Sequence, residues 1–305
     1  MAERLIIGMS GASGAPLTVE LLRRLHDRRP EIETHLIVTK GGEMTLAQET
    51  GVTPAELQKL ATVCHPNSNI GAAPASGSFK SMGMIVVPCS NDATMLEMVS
   101  ETIPVVLIDR YYENTKLSYV CSDNYNGSID AVKYLTQFGH RKILCIRGNL
   151  HATPVKDRVR GYRDAMHSAS FDDSINISGN SFSVETGYLE TKLALNSREN
   201  RPTAVFALSN TILLGALKAI KEANLRIPDD ISLVSFDGSK YFDFLDPAIT
   251  HVSQPVNEMG LLAIKILVQE IDGTGESGTH IELPVQLIVK DSVGMLRTEN
   301  APAEE

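Results

Sequence analysis

A run of small residues near the start of the chain is suited to holding an anion. Residues 8–15, GMSGASGA, lie between a short apolar strand and the first predicted helix. Small residues let the backbone curl around an anion, and a helix amino end offers free N–H groups. Ser10 and Ser13 add hydroxyl donors. The run predicts a phosphate site; a glycine turn that serves packing alone is the alternative, because neither a dinucleotide fingerprint nor a Walker motif is present.

Polar side chains also follow nearly every apolar strand of the chain. In parallel α/β sheets, ligands bind at the carboxyl ends of the strands. These positions therefore predict a ligand cleft, although loops commonly begin with polar residues for solubility alone. The residues concerned are Ser10 and Ser13, Thr39 and Lys40, Ser90, Asp109 and Arg110, Arg147, Ser209 and Asn210, and Asp237.

Strands and helices alternate along the chain, which predicts an α/β fold built from doubly wound parallel sheets. Apolar runs predict strands, and apolar residues at helical spacing predict the helices between them. The predicted strands are 4–8, 35–38, 84–87, 105–108, 142–146, 203–208 and 231–236. The predicted helices are 16–27, 43–49, 54–61, 95–100, 127–138, 157–168, 211–223 and 257–271.

Composition narrows the function classes. A net charge of -9 and a pI near 5.4 disfavour nucleic acid as a partner, which usually requires a basic surface. The four cysteines form no CxxC pair, which favours reduced thiols in a cytoplasmic protein. No apolar run reaches the ~18 residues of a membrane helix, and no signal peptide is evident. The histidines show no metal-ligand spacing, and His140, between a helix and a strand, is expected to be structural.

Five segments occur in order in the first ninety residues: GMSGASGAPL, HLIVTK, LAQETG, PASGSF and MIVVPCS. Together they resemble the flavin prenyltransferase family, whose members join a dimethylallyl group to reduced FMN. The resemblance implies Glu49 at the reaction site and residues 75–78 over the prenyl pocket. It implies an FMN site formed by Ser10, Gly11, Ser13, Gly14, Thr39 and Ser90.

The residues that bind the allylic phosphate in that family are absent after Ser90. Without a cation there, negative charge on the leaving phosphate would develop unstabilised, so prenyl transfer is not expected. The family also holds its flavin between subunits, so the FMN site is expected to be incomplete.

From Met84 onward, the chain contains the segments IPVVLIDR, VCSDNYNGSIDAVKYLTQFGHRKI, KDRVRGYRDAM, RPTAVFALSN and LVSFDG. These segments resemble the effector-binding core of LacI-type repressors, which shares its architecture with periplasmic sugar-binding proteins. The resemblance implies two flavodoxin-like lobes with a hinged cleft. It implies ligand contacts from Asp109, Arg158, Asn210, Asp237 and Gln254. The alternatives are a surface charge for Arg158, a loop cap for Asp237 and a hinge hydrogen bond for Gln254.

These two resemblances predict a hybrid amino lobe, 1–138 plus 256–283, with its seam inside the strand 84–89. They predict a repressor-like carboxyl lobe, 139–255 plus 284–295, and a tail, 296–305. The function expected is that of an engineered or recombinant, non-catalytic scaffold for a sugar-like or phosphate-bearing ligand. It would be a monomer or homodimer, and it would not bind an operator because no helix-turn-helix is evident. The alternatives are an impaired FMN-binding prenyltransferase-like protein and a folded chimera without function.

Overall fold

A computed structural model describes residues 3–9, 15–69, 72–75, 79–88, 92–197 and 199–296. The strands are β1 (Arg4–Met9), β2 (Glu33–Val38), β3 (Val63–Pro66), β4 (Gly83–Val87), β5 (Val105–Ile108), β6 (Ser118–Ser122), β7 (Ile143–Ile146), β8 (Asn176–Ser178), β9 (Ala204–Ala207), β10 (Ser232–Phe236), β11 (Thr250–Ser253), β12 (His280–Leu283) and β13 (Gln286–Ile288). The helices are α1 (Ala15–Arg28), α2 (Lys40–Glu49), α3 (Pro54–Gln58), α4 (Thr94–Ser100), α5 (Asn124–Gln137), α6 (Thr153–Ser168), α7 (Val184–Leu195), α8 (Asn210–Glu222) and α9 (Val256–Ile271).

The chain divides into two compact units, each with its own sheet. Unit 1 comprises Met1–Ser122 and Pro255–Leu283, and unit 2 comprises Asp123–Gln254 and Pro284–Glu305. The predicted division placed α5 in the amino lobe. In the structure α5 belongs to unit 2, because it packs on α6 and on strands β9, β10, β11 and β13.

The described strands of unit 1 form a parallel sheet in the order β12-β6-β5-β4-β1-β2-β3. Its core joins the apolar faces of β1, α1 and α9, with Ile7, Leu22 and Met259 at most 1% exposed. Strand β4 lies between β1 and β5, so that Met84 pairs with Ile6 on one side and with Val105 on the other. The first ninety residues and the later strands therefore share one continuous sheet.

The described strands of unit 2 form a second sheet in the order β13-β11-β10-β9-β7-β8, in which only β13 runs antiparallel to its neighbour. Strands β7, β9 and β10 are buried throughout and read as continuous apolar or small-residue runs. Such runs are typical of central parallel strands that are covered on both faces. The predicted α/β fold class is thus confirmed in both units.

Several elements were missed by the sequence analysis: β3, β6, β8, β11, β12, β13 and α7. The strands are short and contain Ser, Thr, His, Asn or Gln, so their apolar signal is weak, and tertiary pairing determines them. Helix α7 begins at the Ser183 cap, whose hydroxyl accepts the N–H of Thr186. It has few buried side chains, so its helical periodicity is weak. Within the described residues, no helix is long and apolar enough to cross a membrane.

Helices α7 and α8 approach each other through two glycines. A Cβ on Gly187 would lie 2.0 Å from the carbonyl oxygen of Ile212, and one on Gly215 would lie 2.0 Å from that of Val184. A real Cβ cannot come so close to backbone, so any side chain at either position must push the helices apart.

We expect Gly187→Ala and Gly215→Ala each to lower the free energy of unfolding by about 1–3 kcal/mol, as overpacking does. Alanine is the better helix former by about 1 kcal/mol, so a net loss would show that the clash outweighs helix propensity. Urea denaturation measures the effect, with Leu214→Ala, at a 44% exposed position of α8, as the control. Unchanged or raised stability would contradict the close packing.

Candidate ligand-binding site

Helix α6 places Arg158 against the sheet of unit 2. Val155, Val159 and Tyr162 lie on the buried face of this helix, at the spacing of successive turns. Arg158 shares that face, and its side chain is only 4% exposed. A guanidinium is charged under all ordinary conditions, so burial at this position requires partners of complementary charge.

The guanidinium of Arg158 is bonded on several sides. Its Nε donates to Asn124 Oδ1 at 2.8 Å, and Nη1 donates to the Leu208 carbonyl at 2.9 Å. Nη1 and Nη2 face the two carboxylate oxygens of Asp237 at 3.3 and 3.5 Å. The guanidinium carbon lies 3.7 Å from the centre of the Phe236 ring, a cation–π distance. These partners neutralise the positive charge of the guanidinium and fix its orientation. Arg158 is therefore not a surface charge.

Asp237 follows β10 directly and has φ of 71°, in the left-handed region that few non-glycine residues adopt. The Gln254 amide, which follows β11, donates to Asp237 Oδ1. Asp237 therefore receives donors from Arg158 and Gln254, while 14% of its side chain stays exposed. The carboxylate ties the ends of two neighbouring strands to α6 and keeps one surface open.

Asn210, the first residue of α8, lies beside this group. Its Nδ2 donates to the Gly238 carbonyl at 3.3 Å, whereas its Oδ1 is buried and has no hydrogen-bond partner among the described residues. Ser209 caps the same helix by accepting the N–H of Ile212. A buried acceptor without a donor is costly, so Asn210 Oδ1 is suited to a ligand donor.

Arg158, Asn210, Asp237 and Gln254, four of the five predicted ligand-contacting residues, thus meet at the carboxyl edge of the unit 2 sheet. Asp109, the fifth, belongs to unit 1, where it follows β5 with φ of 70° and is buried. The sequence analysis missed Asn124, Phe236 and the Leu208 carbonyl. No predicted strand directly precedes Asn124, because β6 was missed, so no local signal identified this residue.

The predicted FMN residues Ser10, Gly11, Ser13, Gly14 and Ser90 lie outside the described residues, and the FMN site stays a prediction. Thr39 caps α2, its hydroxyl accepting the N–H of Gly42 at 3.1 Å. Glu49 Oε2 accepts the N–H of Ala15 at 3.2 Å, at the start of α1. Both side chains therefore stabilise helix ends in unit 1.

His140 is structural, as expected. Its ring nitrogens lie 3.0 Å from Thr203 Oγ1 and 3.0 Å from the Gly294 carbonyl, and burial lowers its pKa. Cys64, Cys121 and Cys145 are free thiols. No group of three or more potential metal ligands is found among the described residues.

These features define a protein of two α/β units with a polar cluster at the carboxyl edge of the unit 2 sheet. The periplasmic binding protein-like domain model matches residues 132–293, more than half of the chain. The chain belongs to this family. Its similarity to LacI-type regulators supports the assignment of a LacI-type core.

The chain is 32% identical over 204 residues to the HTH-type transcriptional regulator DegA of Bacillus subtilis, covering 66% of this chain and 60% of that one. It is 32% identical over 199 residues to the ribose operon repressor of Haemophilus influenzae, covering 64% and 59%. The matches thus span about 60% of the length of these relatives.

Solved structures share the fold over nearly the whole chain. A LacI transcriptional regulator from a Rhodococcus species matches with a TM-score of 0.75 and 20% identity, covering 96% of this chain and 99% of that one. The lac repressor dimer bound to operator and an anti-inducer matches with the same TM-score and identity, covering 96% and 95%. At these identities the likeness establishes the fold alone.

The hypothesis of an engineered chimeric scaffold is wrong, and so is the prenyltransferase-like alternative. The relatives are bacterial transcriptional regulators, and the structural likeness covers 96% of the chain, so it extends through most of the first ninety residues. The comparisons give no support to a flavin-enzyme part. These relatives are named as a transcriptional regulator and a repressor, and not as enzymes.

We expect Arg158→Met to lower the free energy of unfolding of unit 2 by about 3–5 kcal/mol, because Asp237 and Asn124 lose their buried donor. Arg160→Met is the matched control on the same helix. Its side chain is 62% exposed and pairs with Asp157, so a loss below about 1 kcal/mol is expected. Chemical denaturation compares the two variants. Equal losses would refute the buried cluster as a stabilising unit.

Proposed function

We propose that this chain is the effector-sensing core of a LacI-type transcriptional regulator and that it binds a small hydroxyl-rich molecule. The observation that carries this proposal is the cluster of Arg158, Asp237, Gln254 and Asn210 at one edge of the unit 2 sheet. Membership of the periplasmic binding protein-like family and similarity to named transcriptional regulators support it.

The cluster combines donors and acceptors that suit a sugar. A ligand hydroxyl can donate to the exposed surface of the Asp237 carboxylate or to Asn210 Oδ1, and it can accept from the Gln254 amide. The guanidinium of Arg158 holds the carboxylate in place, so that the acceptor is oriented before the ligand arrives. Such pre-positioned polar groups give orientation and specificity in small-molecule sites.

The sugar class follows from this chemistry and from two relatives. One is the ribose operon repressor of Haemophilus influenzae, and the other is the structure of a LacI family regulator from Enterococcus faecium with bound ribose, at a TM-score of 0.74 and 20% identity. A pentose is therefore the first ligand to test.

The relatives are named as HTH-type regulators or repressors, so they give no support to excluding nucleic acid as a partner. We propose that ligand occupancy of this core controls DNA binding by the whole protein. The oligomeric state, monomer or homodimer, stays a prediction.

We expect D-ribose to bind the purified chain in isothermal titration calorimetry, and Asn210→Ala to weaken binding by at least tenfold, about 1.4 kcal/mol, because the ligand loses a buried partner. The matched control is Asn200→Ala, at an exposed position of unit 2, which should leave affinity unchanged.

A panel of other pentoses, hexoses and cellobiose tests the sugar class against ribose itself. Binding of another sugar with the same sensitivity to Asn210→Ala would keep the site and change its ligand. The proposal would be overturned if no sugar bound, or if the wild type and Asn210→Ala bound the sugar equally well.

A further inference from the structure

A pocket lies in unit 1, at the amino end of its strands. It has a volume of about 290 Å³ and is bounded by the segments that enter β5, β6 and β12 and by the end of α9. These three strands are neighbours in the sheet, so their entering loops meet at one edge. The polar cluster of unit 2 contributes no residue to this pocket.

Glu270, in the last turn of α9, supplies the pocket with a half-buried carboxylate. Ser118 donates its hydroxyl proton to Glu270 Oε1. The Ser118 oxygen in turn accepts the N–H groups of Gly278 at 3.1 Å and Thr279 at 2.9 Å. The Ser118 oxygen thus accepts two N–H groups, and its proton points at the carboxylate. This hydrogen bond holds Glu270 in one orientation.

Glu270 forms no ion pair within the part of the chain that the structure describes, although Lys116 lines the same pocket. Burial raises the pKa of the Glu270 carboxyl above its usual range, and the Ser118 hydrogen bond offsets this only in part. The cost of burying the ionised carboxylate is therefore only partly offset, so a cation beside the carboxylate would be stabilised.

The helix end adds to this preference. The carboxyl terminus of a helix carries a partial negative charge that favours cations, and the last turn of α9 contains no basic residue. The last turn of α9 holds the acid Glu270 instead. Two independent features, the oriented carboxylate and the helix terminus, thus attract positive charge to one place.

Ile103 and Pro104, both half-buried, contribute an apolar wall to the pocket. We propose that this pocket binds a small aliphatic primary amine, with its ammonium group on Glu270 and its alkyl part on Ile103 and Pro104. An ammonium group donates three hydrogen bonds and suits a carboxylate at a helix carboxyl end.

The test is titration of the full chain with n-butylamine, monitored by NMR chemical shifts of unit 1 amides. We expect saturable binding, at least tenfold weaker in Glu270→Gln, which keeps the side-chain shape and removes the charge. Glu258→Gln, at an exposed position in the first turn of the same helix, is the matched control and should bind as the wild type does. Equal affinity of the wild type and Glu270→Gln would overturn the proposal.

A comparison of ligands on the wild-type chain tests the charge preference without any variant. Butan-1-ol has the same alkyl part without charge, and butyrate reverses the charge, so both should bind at least tenfold more weakly than n-butylamine. Equal binding of butan-1-ol or tighter binding of butyrate would refute the site. Circular dichroism melting of Glu270→Gln separates loss of binding from loss of the fold.

Discussion

Burial of the Arg158 guanidinium is a constraint that several elements of unit 2 must satisfy together. A permanently charged group that is 4% exposed must be surrounded by acceptors, and here these come from different elements. Asn124 begins α5, the Leu208 carbonyl follows β9, and Asp237 follows β10. Gln254, after β11, completes the set through its bond to Asp237. One side chain on α6 therefore holds together three strand ends and two helices.

In the proposed ligand site, the same constraint orients the carboxylate of Asp237. The left-handed backbone at Asp237 directs a carboxylate to the edge of the sheet, at a cost in conformational energy that Arg158 and Gln254 offset. Stability and recognition are therefore coupled at this position. The unpartnered Oδ1 of Asn210, by contrast, makes no hydrogen bond that stabilises the fold, so Asn210→Ala is the variant chosen to test the proposed binding separately from stability.

The first ninety residues show how local motifs and tertiary context can point to different proteins. Their ordered segments resemble a flavin enzyme, yet β1, β2 and β4 join β5 and β6 in one parallel sheet. A Gly/Ser-rich segment between a first strand and a first helix is compatible with many α/β proteins, because glycine permits backbone conformations that other residues rarely adopt. Thr39 and Glu49, which the resemblance assigned to a flavin site, each accept a backbone N–H at the start of a helix.

The sequence by itself determined the α/β class, the central strands and the polar residues that follow them. Those features depend on local periodicity and on uninterrupted apolar runs such as Val105–Ile108 and Ile143–Ile146. Only the tertiary structure decided the short strands such as β6 and β11, whose residues are polar or mixed and which are defined by their neighbours. It also decided that α5 belongs to unit 2, and that Asn124 completes the shell around Arg158. Those outcomes depend on contacts between residues far apart in the chain, such as the 34 positions between Asn124 and Arg158, which no local pattern encodes.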